Sequence, residues 1–449
     1  MVDLIVACTK SFGIGLQKGL PWNCKEELSI FKNKTNNNII IVGRRTAETL
    51  PKLQDRIVIC VSRSGILKRD ENQCIVVPSI NQGILYAKEH FGDKKIFIAG
   101  GSRIYNEILC DNIGCIETMH ISIMKDSYIC DKNILLDLSK WVIHTKEEYN
   151  EFMHYTMTYS RYNEYQYLSL LKEVLKEGEE RKGRNGFTKS VFGKNLKFDL
   201  RKGFPLLTTK KMFLRGIVEE LLFFIKGETD SKLLENKGVN IWKGNTSREF
   251  LDSIGKVERK EGIMGPLYGY QWRHFNADYD EENNKPLSIG IDQLQNVVDT
   301  IINDPYSRRI LLTSYNPIQS NKGVLYPCHS IIIQFYVSEG FLDMYCYNRS
   351  QDLFLGVPFN ISSSSLLLTL IAKITKLTPR YLTIGMGDVH IYQQHYEAVE
   401  TQIDRLPYRF PKIEIKDVYS LKDIENLTFQ DFKLIDYLHY PIIKSEMIS

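Results

Sequence analysis

FMHYTMTYSRYNEYQYLSLLKEVLKEG, residues 152–178, changes its rhythm part-way along, and that change decides how the chain is built. Its opening residues read as a strand rich in aromatic and β-branched side chains. From Asn163 the spacing lengthens, and Tyr167, Leu170, Leu171, Val174 and Leu175 fall on one face of a helix. No run rich in proline, glycine, serine or charge lies between the two rhythms. We therefore expect two domains, over residues 1–161 and 162–449, joined by a very short link.

Towards the N-terminus the segments LIVAC, IIIVG, IVICVS, CIVV, KIFIAG and ETMHISIM alternate with helical or loop stretches. That order predicts an α/β domain with a mainly parallel central sheet and flanking helices. Towards the C-terminus the amphipathic stretches LRGIVEELLFFIKG and IGIDQLQNVVDTIINDP are followed by the strand-like HSIIIQFYV and FLDMYCYNRS. An α+β domain is expected there. FNISSSSLLLTLIAKITKL is apolar but broken by serine, threonine and lysine, so it reads as a buried core helix and not as a membrane span.

Composition excludes several classes of function. Of the 449 residues, 43% are hydrophobic and 25% charged, the profile of a globular protein with a real core. The net charge of +4 gives little support to a regulatory role in RNA binding, despite the dense arginines. The nine cysteines form no CxxC pair and no zinc-ligand spacing, which points to a reducing compartment without a bound metal. MVDLIVACTK has too short an apolar run for a leader or a span, so a cytoplasmic protein with no membrane partner is expected.

The first chemistry lies in SFGIGLQKGLPWNCKEELSIFK, where a glycine-rich loop leads into a helix start and Glu27 and Phe31 fall one turn apart. Alone, Glu27 reads as a solvated carboxylate and Phe31 as core. Three further segments change the weighting. IIIVGRRTAETL ends a strand in glycine before Arg-Arg-Thr, suited to a phosphate at a helix N-terminus. IVICVSRS ends another strand with Ser62 and Arg63, and KIFIAGGSRIYNEIL sets paired glycines between strand and helix, where backbone can approach a pyrophosphate.

Taken in order, GIGLQKGLPW, GRRT, SR and AGGSRIY make residues 3 to about 161 resemble dihydrofolate reductase. The resemblance implies that Glu27 hydrogen-bonds the pterin ring and assists protonation of N5, with Ile5, Leu28 and Phe31 lining the folate pocket. Arg56 would grip the folate glutamate α-carboxylate, and Ser122 would supply the hydroxyl that partners the acid. NADPH is the implied cofactor. Arg44, Thr46, Ser62 and Arg63 would read its 2′-phosphate, and Gly100, Gly101, Ser102, Arg103, Ile104 and Tyr105 its pyrophosphate and nicotinamide side. Ala7, Ile14, Gly15, Gly43 and Arg45 complete that set, while Ala47 stands where the family usually has tryptophan.

The second chemistry centres on Cys328 in GVLYPCHSIIIQFYV. A lone cysteine is more often a small core residue. Here DPYSRRILLTSYNP brings Arg308 and Arg309, and YNRSQDLFLGVPFN brings Arg349, Ser350, Asp352 and Asn360. Such a concentration of donors implies a phosphorylated substrate, and nearby positive charge is expected to lower the thiol pKa.

Through GFPLLTTKK, ELLFFIKG, GVNIW, GPLYGYQWRHF, PCH, RSQDLFLGVPFN and GDVHIYQQH, residues from about 163 onward resemble thymidylate synthase. By that resemblance Cys328 adds to C6 of dUMP, Glu220 organises water and proton transfers, Tyr268 takes part in removing the C5 proton, and Asp352 binds the folate ring of 5,10-methylenetetrahydrofolate. Arg184, Arg349 and Ser350 would hold the phosphate, joined by Arg308 and Arg309 from the second subunit of a homodimer formed through this domain. His329 joins the dUMP set, Asn360 would read uracil O4 and N3–H, and His390 and Tyr392 the 3′-hydroxyl. Methylation of dUMP yields dihydrofolate, the substrate of the first half. An alternative keeps only the synthase active, with the N-terminal half as a supporting module.

Overall fold

The computed structural model describes residues 2–17, 19–65, 67–111, 115–159, 163–183 and 186–446. The chain forms two compact units, residues 1–161 and 162–449.

In the first unit the isoleucine- and valine-rich runs become the inner strands of an eight-stranded sheet. The order across it is Ile75–Val77, Ile57–Val61, Ile39–Gly43, Ile96–Ile98, Val2–Cys8, Ile116–Met124, Phe152–Tyr159 and Trp141–Glu148. The first six run parallel, and Phe152–Tyr159 is antiparallel to both of its neighbours, Ile116–Met124 and Trp141–Glu148. Ile39, Ile40 and Ile41 are wholly buried, as an inner strand covered on both faces requires. Cys8, Gly43, Val61 and Ile98 end parallel strands along one sheet edge, the edge at which open α/β sheets bind ligands. Beside the sheet lies the helix Lys25–Thr35, whose buried residues are Glu27 and Thr35, so a carboxylate occupies a position where an apolar side chain is normally found.

The strand Trp141–Glu148 was not among the runs read from sequence. Its first three residues are buried, but KEE is exposed, and as the sheet's last strand it pairs with Phe152–Tyr159 alone.

The second unit holds a six-stranded sheet in the order Glu179–Gly183, Gly186–Asp199, Thr378–Tyr392, Phe341–Asp352, Ile332–Ser338 and Leu311–Thr313. Phe341–Asp352 and Thr378–Tyr392 are parallel neighbours, and the crossover between them contains the helix Gly356–Ile374. That helix is long and apolar enough to cross a membrane, yet Ile361, Leu366, Leu368, Leu370 and Ile371 are completely buried in the core of the unit. Leu214–Ile225 packs against it. The predicted helix at IGIDQLQ begins later, at Gln293: the Asp292 side chain accepts from Gln295 N–H and starts it there, leaving Ile289 in the open.

A buried anion ties down the start of this unit. Glu164 is 0% exposed, and its carboxylate accepts from the backbone N–H and hydroxyl groups of both Thr208 and Thr209. Four donors on one carboxylate offset much of its desolvation. Gln402 Nε2 donates to the Thr209 hydroxyl and extends the network.

Candidate active sites

In the first unit, Glu27 is 6% exposed, and burial pushes its carboxyl up to about 7, opposed by a hydrogen bond from Ser122. Ser122 lies on Ile116–Met124 opposite Ala7 of Val2–Cys8, while Ile5 pairs with His120 two positions earlier, so Ile5, Ala7 and Ser122 share one sheet face. The Tyr105 hydroxyl donates to Ile5 O at 2.6 Å. Phe31 is half-buried and Leu28 is 47% exposed, which leaves an apolar wall open to a planar ligand. Arg56 is held by Nε to Thr35 Oγ1 at 3.0 Å and by Nη2 to Lys32 O at 3.3 Å, fixing the guanidinium beside the same helix.

The groups expected to bind NADPH collect where parallel strands end. Gly43 N–H donates to Gly100 O at 2.8 Å, drawing the ends of Ile39–Gly43 and Ile96–Ile98 together. Gly100 has φ +103°, and a Cβ there would meet the Tyr105 ring at 3.0 Å, while one on Gly101 would meet Thr46 Oγ1 at 3.1 Å. That edge is therefore lined by bare backbone, with Ser102, Arg103 and Ile104 opening the next helix. The helix expected to bind phosphate after Gly43 is only Arg44–Ala47, a single turn with little dipole, so phosphate binding falls to the side chains of Arg44, Arg45 and Thr46. Arg44, Arg45 and Arg63 make no ion pair among the described residues, and Ser62 Oγ lies 3.2 Å from Ser64 Oγ. Cations and hydroxyls beside bare backbone suit a phosphorylated dinucleotide. Ile14 and Gly15 lie in the short strand Gly13–Gly15. Ala47 is 2% exposed and packs with Ile40, Val42, Val58 and Cys60.

In the second unit, Cys328 lies in the segment before Ile332–Ser338. Arg349 and Ser350 both donate backbone N–H to Cys328 O, at 2.9 and 3.3 Å. Arg349 also donates Nε to Pro327 O at 2.7 Å and Nη2 to Tyr326 O at 3.1 Å, bracing the nucleophile's loop. Tyr268 stands on the other side: its hydroxyl is 3.5 Å from Cys328 Sγ and accepts Cys328 N–H at 3.2 Å. It has φ +40°, a costly backbone state for a bulky residue. The Tyr268 ring stacks between Phe224 and His329, at centroid distances of 5.1 and 4.4 Å.

The expected low thiol pKa is corrected by this geometry. Burial raises the Cys328 pKa, and the Tyr268 hydroxyl and Arg349 only partly oppose it. His329 is held neutral, its pKa lowered by burial to about 4. Glu220, on Leu214–Ile225, accepts from Trp242 Nε1 at 2.8 Å, and burial pushes its carboxyl up to about 7.

The remaining groups come from two neighbouring elements. Asn360 Nδ2 donates to Gln351 Oε1 at 2.9 Å, which fixes the amide and leaves its oxygen and second N–H for a ligand. Asp352 Oδ1 accepts from Phe354 and Leu355 N–H at 2.9 and 3.1 Å. His390 pairs with Asp352 across the parallel strands, with Nδ1 2.8 Å from Asp388 Oδ1 and the Tyr392 ring edge-on at 5.2 Å. Arg308 and Arg309 are exposed and make no ion pair among the described residues. Arg184 lies outside the described residues.

Residues 1–164 match the family described as dihydrofolate reductase, and residues 165–449 match thymidylate synthase. A bifunctional dihydrofolate reductase-thymidylate synthase of Paramecium tetraurelia is 38% identical, covering 99% of this chain and 98% of that protein. Its namesakes from Zea mays and Leishmania major are 36% and 35% identical, each covering 99% of this chain and respectively 96% and 94% of their own lengths. This chain belongs to the bifunctional dihydrofolate reductase-thymidylate synthase family. It is an enzyme with an NADPH-dependent reductase domain and a synthase domain that uses methylenetetrahydrofolate.

Several groups were missed by sequence reasoning. In the synthase domain these are Trp242, which holds Glu220, and Gln351, which orients Asn360; both lie inside quoted strings, GVNIW and RSQD, without an assigned role. Phe224, beneath Tyr268, lies in ELLFFIKG. In the reductase domain His154 was read only as part of a strand. The facing register of Ser122 and His154 was the missing signal, and it cannot be read along one dimension.

Proposed function

We propose that the two activities run on the residues assembled above, in a two-step cycle of dTMP synthesis. In the synthase domain Cys328 Sγ bonds to C6 of dUMP while its proton leaves, and C5 becomes the nucleophile. The cosubstrate supplies the one-carbon unit and hydride and departs as dihydrofolate. Tyr268 and Glu220 manage the proton lost from C5, and the Cys328–C6 bond then breaks. In this reading Arg349 and Ser350 hold the dUMP phosphate, with Arg184 a further donor. Asn360 orients the uracil, His329 packs beside it, His390 and Tyr392 engage the 3′-hydroxyl, and Asp352 meets the folate ring.

In the reductase domain NADPH supplies hydride when bound, and Glu27, engaged by Ser122, holds the pterin and assists protonation at N5. Ile5, Leu28 and Phe31 frame the pterin and Arg56 pairs with the glutamate carboxylate. The observation that carries the synthase assignment is the Tyr268 hydroxyl facing both Sγ and the backbone N–H of Cys328, at 3.5 and 3.2 Å.

A homodimer through the synthase sheet belongs to the same reading. Leu311, Ile332, Tyr336 and Tyr345 are exposed together on one face of its strands, an apolar patch suited to a second copy, and Arg308 and Arg309 lie just before the edge strand. All nine cysteines are free, which supports a reducing cytoplasmic setting for a thiol nucleophile.

The test is an assay with dUMP, methylenetetrahydrofolate and NADPH on wild type, Cys328→Ala and Glu27→Gln. Dihydrofolate should appear without NADPH and be consumed once NADPH is added, with each variant losing only its own step. Wild-type protein that forms dihydrofolate but never oxidises NADPH would leave the N-terminal half a supporting module.

A further inference from the structure

Next to the reductase acid lies a buried histidine that the assignments above do not use. His154 is 2% exposed and pairs directly across the sheet with Ser122, which is 1% exposed. Its Nδ1 lies 3.1 Å from Ser122 Oγ, and the same hydroxyl is the group that opposes the burial-driven rise of the Glu27 pKa. On the far side, His154 Nε2 is buried with no partner among the described residues. The surrounding charged and titratable groups are Glu27 and Lys34 on the helix, His120 on the strand of Ser122, and Glu147 on the outer strand. The rings of His120 and His154 stack at 6.3 Å, and His120 Nε2 lies 3.8 Å from Asp3 Oδ2.

A hydroxyl has one proton to give, so the three groups share a direction. Burial lowers the His154 pKa to about 4, helped by Lys34 and His120, so the ring is neutral and carries one N–H. An N–H on Nε2 would point at nothing, whereas an N–H on Nδ1 meets Ser122 Oγ. Once that oxygen accepts from His154, its own proton is left to give to Glu27. We propose that His154 is a positioning residue of the reductase site: by donating to Ser122 it fixes the direction of the hydrogen bond made to Glu27, and so sets how readily that acid takes up a proton. The inference rests on the reading of Glu27 as the reductase acid. A chain of two donors, each polarising the next, stabilises the carboxylate more than a freely rotating hydroxyl does.

The experiment is the pH profile of NADPH oxidation with dihydrofolate, measured on the full chain from pH 5 to 9, with the thermal melt of each variant as the control of folding and dUMP methylation as the control of protein amount. Replacing His154 by Phe or Met removes the donor, and the apparent pKa of the profile should rise by about 0.5 to 1. His154→Gln, whose amide keeps a donor, should return it towards the wild-type value. In a Ser122→Ala background the same replacements should produce no further shift. An unmoved profile in both donorless variants, or equal shifts with and without Ser122, would overturn the inference. Unchanged NADPH oxidation in Glu27→Gln would instead sink the reading of Glu27 beneath it.

Discussion

Glu27 and Glu220 both have carboxyls pushed up to about 7 by burial, against an ordinary value of 4.5. The folded protein therefore holds more protons than the unfolded chain between those two values. The stability each group contributes is present below pH 4.5 and is lost as pH rises through about 7. For each group the loss is bounded by about 3 kcal/mol. Glu220→Gln should thus melt higher than wild type at pH 8, match it near pH 5 and lose dUMP methylation; thermal melts at both pH values check this. Removing one hydroxyl tests the opposite wall of that site. Tyr268→Phe keeps the ring stack on Phe224 and His329 but deletes the partner of Cys328 Sγ and N–H, so kcat for methylation should fall about 10²- to 10⁴-fold with little change in melting temperature.

At the scale of elements, the synthase nucleophile's surroundings depend on a near collision of backbones. A Cβ on Gly269 would lie 2.2 Å from Phe224 O and 2.5 Å from Phe224 Cα, and both are main-chain atoms that cannot swing aside. Gly269→Ala should force the helix Leu214–Ile225 away from Tyr268, destabilising the synthase unit by about 3 kcal/mol and cutting methylation while leaving dihydrofolate reduction intact. Gly269 stood in the quoted string GPLYGYQWRHF, so its presence was legible, but which backbone it approaches was not. The inner strands were legible because IIIVG and IVICV are apolar on both faces. Trp141–Glu148 was not, because its KEE segment reads as a charged loop. The thiol pKa was misread for a related reason: sequence shows arginines in the segments around Cys328, but not that burial outweighs them.

The whole molecule pairs two separate cores with two chemistries, and it is to be tested as such. Tyr336 is 64% exposed on the synthase sheet, and under the proposed dimer Tyr336→Asp should give monomers by analytical ultracentrifugation with reduced dUMP methylation, because Arg308 and Arg309 would then reach no neighbour. Dihydrofolate reduction, built wholly within residues 1–161, should stay close to wild type. The carboxylate of Glu164 says where this polypeptide can be severed. Family matching draws the line after residue 164, leaving that glutamate with the reductase, whereas its four donors all belong to the synthase core. A synthase half begun at Asn163 carries its own fastening. Begun at Tyr165, it leaves the backbone N–H groups of two buried threonines without their acceptor, so the safe place to cut lies upstream of the boundary that likeness alone would choose.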